Sequence, residues 1–172
     1  MRRRTINVAK TALVVALLCV CAWVTVPFGA VVFTLQTLGA MIALQTLGGV
    51  GGLAAISIYL LLGALGLPVF SSFGGGLGVF FGPTGGFLFG FFGGAVAYLL
   101  VERICKTRKC GRVFGLCAFL AVCYLFGCGY YALVYKEGLG GVLAVCVLPY
   151  VVPEVLKLLL AIAVGGRIVR YL

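Results

Sequence analysis

Six long apolar segments, separated by loops and tails that hold nearly all the charges, dominate this sequence. They cover roughly residues 11–28, 36–48, 51–67, 85–102, 113–135 and 149–169. Only 9% of the 172 residues are charged, whereas a soluble domain carries about 25%. So few charges cannot keep so much apolar surface dissolved in water. The sequence therefore predicts an all-α integral membrane protein, a six-transmembrane-helix bundle that forms a single domain over residues 1–172.

The second and third segments are shorter than the others. With 13 and 17 residues, they fall below the roughly 20 residues of a full membrane span. They are either two short spanning helices or one re-entrant hairpin that turns at the glycine-rich residues 48–52. We favour six spans.

The basic residues are distributed very unevenly between the two sides of this topology. With the N-terminus inside, eleven of the thirteen basic residues lie on the inner side: Arg2, Arg3, Arg4, Lys10, Arg103, Lys106, Arg108, Lys109, Arg112, Arg167 and Arg170. Lys136 is outside, and Lys157 lies near the outer end of the last segment. Positive charge marks the cytoplasmic side of membrane proteins, so we expect both termini to be cytoplasmic.

The N-terminal arginines and the first apolar segment also resemble a cleaved signal peptide. The apolar stretch is too long for one, however, and Trp23, Pro27 and Phe28 make a poor cleavage site. We therefore expect the first helix to be retained.

Catalytic and metal-binding patterns are missing from the sequence. It has no histidine, aspartate, CxxC pair, Walker A pattern or nucleophile elbow, and only three glutamates. The eight cysteines are expected to be free thiols. The net charge of +10 is concentrated at the ends of apolar segments, which does not favour nucleic acid as a partner. We therefore expect a binding function rather than an enzyme, without a cofactor or metal.

Glu154 and Lys157 are the exception to the apolar character of the last segment. A charge in mid-membrane costs roughly 2.5–3.5 kcal/mol, so such residues usually mark a functional site. Pro153 suits the first helical position, which places Glu154 in the first turn, where the helix dipole favours a carboxylate. One interpretation is a helix-start residue in an i,i+3 salt bridge with Lys157. The other is a ligand clamp near the outer surface.

Two more elements of the predicted outer side carry candidate ligand contacts. The loop between the third and fourth segments is apolar and rich in glycine, which suits a lid over a ligand better than a packed turn. Its candidates are Phe70, Ser71, Gly74, Gly75 and Thr84. In residues 31–37, Thr34 and Gln36 supply polar groups, with helix capping as the alternative role of Gln36. Tyr150, next to the last helix, completes this set.

Four of these stretches, in order, resemble the BioY family, the biotin-specific S components of energy-coupling-factor (ECF) transporters. Residues 33–38 (FTLQTL) are similar to the first signature of that family, residues 59–70 (YLLLGALGLPVF) to the second, and residues 82–87 (GPTGGF) to the third. Glu154 and Lys157 after Pro149 match the fourth. The family usually has aspartate at position 154 and glycine at position 153.

The resemblance implies a six-helix protein of a bacterial cell membrane that captures biotin from outside. It implies, as partners, a transmembrane T component and two cytoplasmic ATPases, with Ala12 and Ala16 of the first helix in the docking surface. It places an aromatic ligand contact at Tyr130 or Tyr131. Biotin has a ureido group with two N–H donors, apolar rings and chain, and a carboxylate, which the candidate residues complement.

Two alternative functions remain at this point. One is an S component for another vitamin, although Lys157 disfavours cationic thiamine. The other is a channel or structural bundle. A channel would need a polar stripe along several helices, whereas the polar residues here gather at the outer ends.

Overall fold

Most of the chain is helical. The structure, a computed structural model, describes residues 2–27, 32–105 and 108–171, so Val31 and Lys106 lie outside the described residues. The helices in these ranges are α1 (Arg2–Trp23), α2 (Gln36–Ala64), α3 (Gly85–Ile104), α4 (Arg108–Tyr135), α5 (Leu139–Cys146) and α6 (Val151–Tyr171). A short antiparallel hairpin, β1 (Thr25–Pro27) and β2 (Val32–Thr34), follows α1. Two 3₁₀ turns, Ser71–Phe73 and Leu77–Phe81, lie between α2 and α3.

Helix α2 folds back on itself at Gly48. That residue has φ 74° and ψ 174°, which is not helical and which favours glycine. The amide of Gln36 reaches the hydroxyl of Tyr59, at 2.7 Å, although 23 residues separate them. In a straight helix they would lie about 35 Å apart. Residues 36–47 and 49–64 are therefore two antiparallel helices joined by a tight turn.

This helical hairpin extends the full length of α3. Its tip lies at the C-terminal end of α3, where the Gly49 N–H donates to Glu102 Oε2 at 2.7 Å. Its other end lies beside the loop that leads into the start of α3, because Tyr59 donates to the carbonyl of Val69. Residues 36–47 and 49–64 thus both run from one end of the bundle to the other.

The hydropathy of the helices matches a membrane protein with six passes. Helices α1, α2, α3 and α4 are each long and apolar enough to cross a membrane, and α5 and α6 together, with a 50° bend between them, are long and apolar enough for one further span. Since α2 folds back, the described residues pass through the bundle six times. The predicted six-helix bundle is confirmed.

Two boundaries differ from the sequence prediction. Helix α1 ends at Trp23 rather than near residue 28, because β-branched Val24, Thr25 and Val26 precede Pro27 and favour an extended chain. Helix α5 was not predicted as a separate element. It is only eight residues long, and a turn at residues 147–150 separates it from α6.

Helices α3 and α4 pack closely along a glycine stripe. Gly86, Gly90 and Gly94 recur every four residues and so share one face of α3. A Cβ at Gly90 would lie 2.8 Å from the Cys123 Cα, and one at Gly94 would lie 2.7 Å from the Phe119 ring. Glycine lets the two backbones approach in a lipid environment, where close packing drives helix association.

The hairpin of α2 makes a testable packing prediction at Gly52. A Cβ at this position would lie 2.7 Å from the Cα of Leu44 in the antiparallel helix. We expect Gly52→Ala to force the helices apart and to lower the free energy of unfolding by about 1–3 kcal/mol. The measurement is thermal unfolding of the purified protein in detergent.

Gly129→Ala is the matched control, because a Cβ on this helical glycine meets nothing within 4 Å. It should leave the melting temperature unchanged or raise it slightly. Equal melting temperatures for Gly52→Ala and the wild type would contradict the close packing of the hairpin.

Candidate functional site

A cavity lies at the end of the bundle opposite Gly48. It comprises about 680 Å³ of space free of protein atoms, including its open mouth. Strand β2, the start of α2, the loop before α3, and α3 to α6 all contribute to its wall. Of the residues predicted from sequence, Thr34, Gln36, Phe70, Ser71, Thr84, Tyr150 and Glu154 line this cavity.

Glu154 and Lys157 form a buried ion pair beside the cavity. The Lys157 Nζ lies 2.5 Å from Glu154 Oε1, one helical turn away. Glu154 is 8% exposed and Lys157 is 3% exposed. Burial of both charges makes their attraction strong but also makes each dependent on the other.

Lys157 is surrounded by hydrogen-bond acceptors. Its ammonium has three N–H donors. It donates to the Thr34 carbonyl at 2.6 Å, to Thr37 Oγ1 at 3.0 Å and to Glu154 Oε1 at 2.5 Å. The ammonium also lies 4.0 Å from the centre of the Phe33 ring. The three donors are thus matched by three protein acceptors, and Lys157 does not line the cavity.

The two oxygens of Glu154 have different surroundings. Oε1 accepts from Lys157 and from the Thr37 hydroxyl at 3.0 Å. Oε2 is buried and has no hydrogen-bond partner among the residues that the structure describes. A buried charged acceptor without a partner is costly. Since Glu154 lines the cavity, Oε2 is an acceptor that suits an N–H donor of a ligand.

The chain before α6 explains how Glu154 reaches this position. Helix α6 begins at Val151, two residues earlier than predicted, after the turn at residues 147–150. Pro153 therefore lies in the first turn, where a missing N–H costs nothing. Glu154 is in the first turn as predicted, and there the helix dipole stabilises its charge.

Aromatic rings form much of the remaining wall. Phe33 stacks on Tyr150 with ring centres 6.5 Å apart, and Phe87 meets Tyr124 edge to face at 5.9 Å. These four rings line the cavity, and sequence reasoning selected only Tyr150 among them. The other lining residues that it missed are Val32, Thr37, Val79, Leu88, Phe91, Cys123 and Cys146. Phe33, Thr37 and Phe87 lie within the stretches that resemble the family signatures, so the sequence did contain a signal for these three lining residues.

The predicted aromatic contact of α4 lies elsewhere. Tyr130 packs against Gly86 of the glycine stripe, and Tyr131 is buried in a cluster with Val142, Cys146 and Tyr150. Neither lines the cavity. Tyr124, almost two helical turns earlier on α4, supplies the aromatic wall.

The loop between α2 and α3 covers part of the cavity. Phe70 is 1% exposed and lines the cavity together with Ser71. Trp23 Nε1 donates to the Pro68 carbonyl at 2.8 Å, which ties the loop to the end of α1. Gly74 and Gly75 are not lining residues. The Phe70 N–H donates to the Gly74 carbonyl, and Gly75 lies close to the backbone of Leu67, so both shape the loop.

Ala12 and Ala16 do not line this cavity. Both are exposed on one face of α1, in the part of the helix that precedes the buried Leu18 and Ala22. All eight cysteines are free thiols. Among the described residues, no group of three histidine, cysteine, aspartate or glutamate side chains is placed to hold a metal ion.

These features define what the cavity can bind. It offers a buried carboxylate oxygen, the amide of Gln36 and hydroxyl groups at one side, and aromatic or aliphatic surface over the rest. Such a wall suits a ligand with a neutral, N–H-bearing polar head and an apolar body. Its open mouth leaves room for a charged tail.

The chain is similar to known proteins in both sequence and fold. Residues 1–172 match the family model described as the BioY family. The biotin transporter BioY of Thermotoga maritima is 37% identical over 160 residues, which covers 92% of this chain and 93% of that protein. The probable biotin transporter BioY of Pyrococcus horikoshii is 33% identical over 162 residues, covering 94% and 95%.

The fold also matches a solved structure. The crystal structure of the S-component for biotin from an ECF-type ABC transporter superposes with a TM-score of 0.87. The match covers 96% of this chain and 92% of that chain, at 20% sequence identity. At this identity the likeness shows the fold.

The buried ion pair makes a prediction about stability. Lys157→Met removes the partner of a buried carboxylate, so we expect the free energy of unfolding to fall by about 3–5 kcal/mol. The double variant Glu154→Gln/Lys157→Met removes both charges and should recover most of that loss. Thermal unfolding in detergent without added ligand measures both. Equal losses in the single and the double variant would contradict the mutual dependence of the two charges.

Proposed function

This chain belongs to the BioY family, and we propose that it is the biotin-capturing component of a vitamin importer. The observation that carries the proposal is Glu154 Oε2, a buried acceptor without a partner among the described residues, in an aromatic cavity. The named relatives are biotin transporters, which supports capture of this vitamin over a channel or a structural role.

The chemistry of biotin fits the two sides of the cavity. Its ureido group carries two N–H donors, one of which would donate to Glu154 Oε2 in a charge-assisted hydrogen bond. The fused rings would pack between the aromatic walls formed by Phe33 with Tyr150 and Phe87 with Tyr124. The valeryl chain would point to the open mouth of the cavity.

Lys157 would then act through Glu154 rather than on the ligand. Its ammonium donates to Thr34, Thr37 and Glu154, and Lys157 is not among the residues that line the cavity. These contacts fix the position of Glu154 Oε1 and leave Oε2 without a partner among the described residues. Of the two roles left open by the sequence, the geometry favours a positioning role for Lys157.

Transport would require partner subunits. We propose a transmembrane T component and two cytoplasmic ATPases of an ECF module, in a bacterial cell membrane with the cavity facing outward. The exposed small residues Ala12 and Ala16 would let a helix of the T component approach α1 closely. The sequence has no Walker A pattern, which agrees with ATP hydrolysis in other subunits.

Isothermal titration of the purified chain tests the proposed ligand. We expect a Kd for biotin in the nanomolar to low micromolar range, a binding free energy of about −8 to −12 kcal/mol. Binding should not depend on ATP. The absence of a binding signal at about 100 μM biotin (roughly −5.5 kcal/mol) for folded protein would refute the proposal.

Variants of the ion pair show which part of biotin faces it. Glu154→Gln should weaken biotin binding about ten- to a hundred-fold, because a charge-assisted hydrogen bond is lost. Lys157→Ala should weaken biotin and neutral biotin amide by the same factor if it acts through Glu154. A loss for biotin alone would instead place Lys157 at the carboxylate end of the ligand.

The docking surface is tested by adding bulk to α1. Ala12→Leu and Ala16→Leu should weaken assembly with the T component and the ATPases while biotin affinity stays unchanged. The measurement is copurification from membranes that contain all subunits. Ala121→Leu, on an exposed position of α4, is the matched control. Intact assembly with both α1 variants would show that the docking surface lies elsewhere.

A further inference from the structure

Tyr59 occupies a fully buried position next to the cavity without lining it. It lies near the end of residues 49–64, and it is 0% exposed. Its hydroxyl makes two hydrogen bonds, one with the Gln36 amide nitrogen at 2.7 Å and one with the Val69 carbonyl at 3.0 Å. It therefore joins the start of α2 to the loop that covers the cavity.

These two bonds determine the orientation of the Gln36 amide. A tyrosine hydroxyl has a single proton. The Val69 carbonyl can only accept, so the proton of Tyr59 goes to Val69. The hydroxyl oxygen must then accept from Gln36, which places the NH₂ group toward Tyr59 and turns Oε1 away from it. Gln36 lines the cavity, so the amide offers an acceptor there.

The ring of Tyr59 supports the adjacent loop. Phe70, which follows Val69, meets the Tyr59 ring edge to face with centres 5.4 Å apart. Gly63, one helical turn after Tyr59, leaves room for the Phe70 ring, because a Cβ there would overlap it. Tyr59 thus holds two parts of the cavity wall in place. Its hydroxyl contacts Gln36, and its ring contacts Phe70.

The start of α2 also lies beside the start of α6. Thr37, the neighbour of Gln36, donates to Glu154 Oε1 at 3.0 Å. Glu154 Oε2 and Gln36 Oε1 are therefore acceptors on adjoining parts of the wall. A cyclic urea carries two N–H donors that point to opposite sides of its carbonyl. Two acceptors on adjoining elements match two such donors.

We propose that Tyr59 is a positioning residue for recognition of the ureido group, and this inference rests on the proposed function. Its hydroxyl fixes Gln36 so that Oε1 receives one ureido N–H, while Glu154 Oε2 receives the other. Without the hydroxyl the amide is free to rotate and to present a donor in place of the acceptor. Tyr59 therefore contributes to affinity for biotin through Gln36.

A double-mutant cycle with biotin as the probe tests this coupling. Tyr59→Phe should weaken biotin binding about ten-fold, because it releases the Gln36 amide. In a Gln36→Met background, which keeps the length of the side chain without its polar atoms, Tyr59→Phe should have little further effect. Equal losses from Tyr59→Phe in both backgrounds, or no loss in either, would overturn the inference.

Tyr98→Phe is the matched control. Tyr98 is also 0% exposed, and its hydroxyl has no hydrogen-bond partner among the described residues. It lies in the half of α3 near Glu102, away from the cavity. This variant should leave biotin affinity unchanged. A loss as large as that of Tyr59→Phe would show that removal of any buried hydroxyl has this effect, and would overturn the inference.

Analogues of biotin methylated on one or the other ureido nitrogen give a second measurement that does not need Tyr59→Phe to fold. The wild type should bind both analogues more weakly than biotin. Gln36→Met should bind biotin and one of the two analogues, the one methylated on the nitrogen that donates to Gln36, with equal affinity. It should still bind the other analogue more weakly than biotin. Unchanged discrimination against both would overturn the inference while biotin binding itself stands. Wild-type protein that binds no biotin would refute the proposed function and this inference with it.

Discussion

The arrangement of the cavity depends on one buried ion pair. A carboxylate inside a membrane protein is tolerated only with a countercharge and hydrogen-bond donors around it. Lys157 and Thr37 provide them for Glu154 Oε1. Lys157 in turn needs the Thr34 carbonyl. These contacts bring α6, the start of α2 and strand β2 together, and they leave Glu154 Oε2 without a partner among the described residues.

The strand hairpin supplies one acceptor of this network, the Thr34 carbonyl. The register pairs Thr25 with Thr34, and the Leu35 N–H donates to the Val24 carbonyl at 3.2 Å. Backbone groups near Lys157 are thereby satisfied within β1 and β2, which leaves the Thr34 carbonyl for the ammonium. A helical continuation of α1 through these residues would have used that carbonyl inside the helix.

The sequence predicted those parts of the fold that the membrane itself imposes. A lipid environment leaves apolar segments little choice but the helix, so the six passes and the first-turn position of Glu154 were readable. The direction in which an individual side chain points could not be predicted from the sequence. Tyr130 was selected by its approximate place in α4, but rotation about the helix turns it toward Gly86 and brings Tyr124 to the cavity. Likewise, the residues that surround Lys157 come from β2 and α2, more than a hundred positions away.

Proline at position 153 and glutamate at position 154, where the resemblance implies glycine and aspartate, have a joint consequence in this geometry. A carboxylate in the first turn of a helix often accepts from that helix's own free N–H groups. Pro153 has no N–H to offer, and the Glu154 N–H already donates to the Tyr150 carbonyl at 2.8 Å. Glutamate, one methylene longer than aspartate, also extends further from the backbone of the first turn. Proline at position 153 therefore leaves no N–H there for the Glu154 carboxylate, and Oε1 accepts instead from Lys157 of the same helix and from Thr37 of α2.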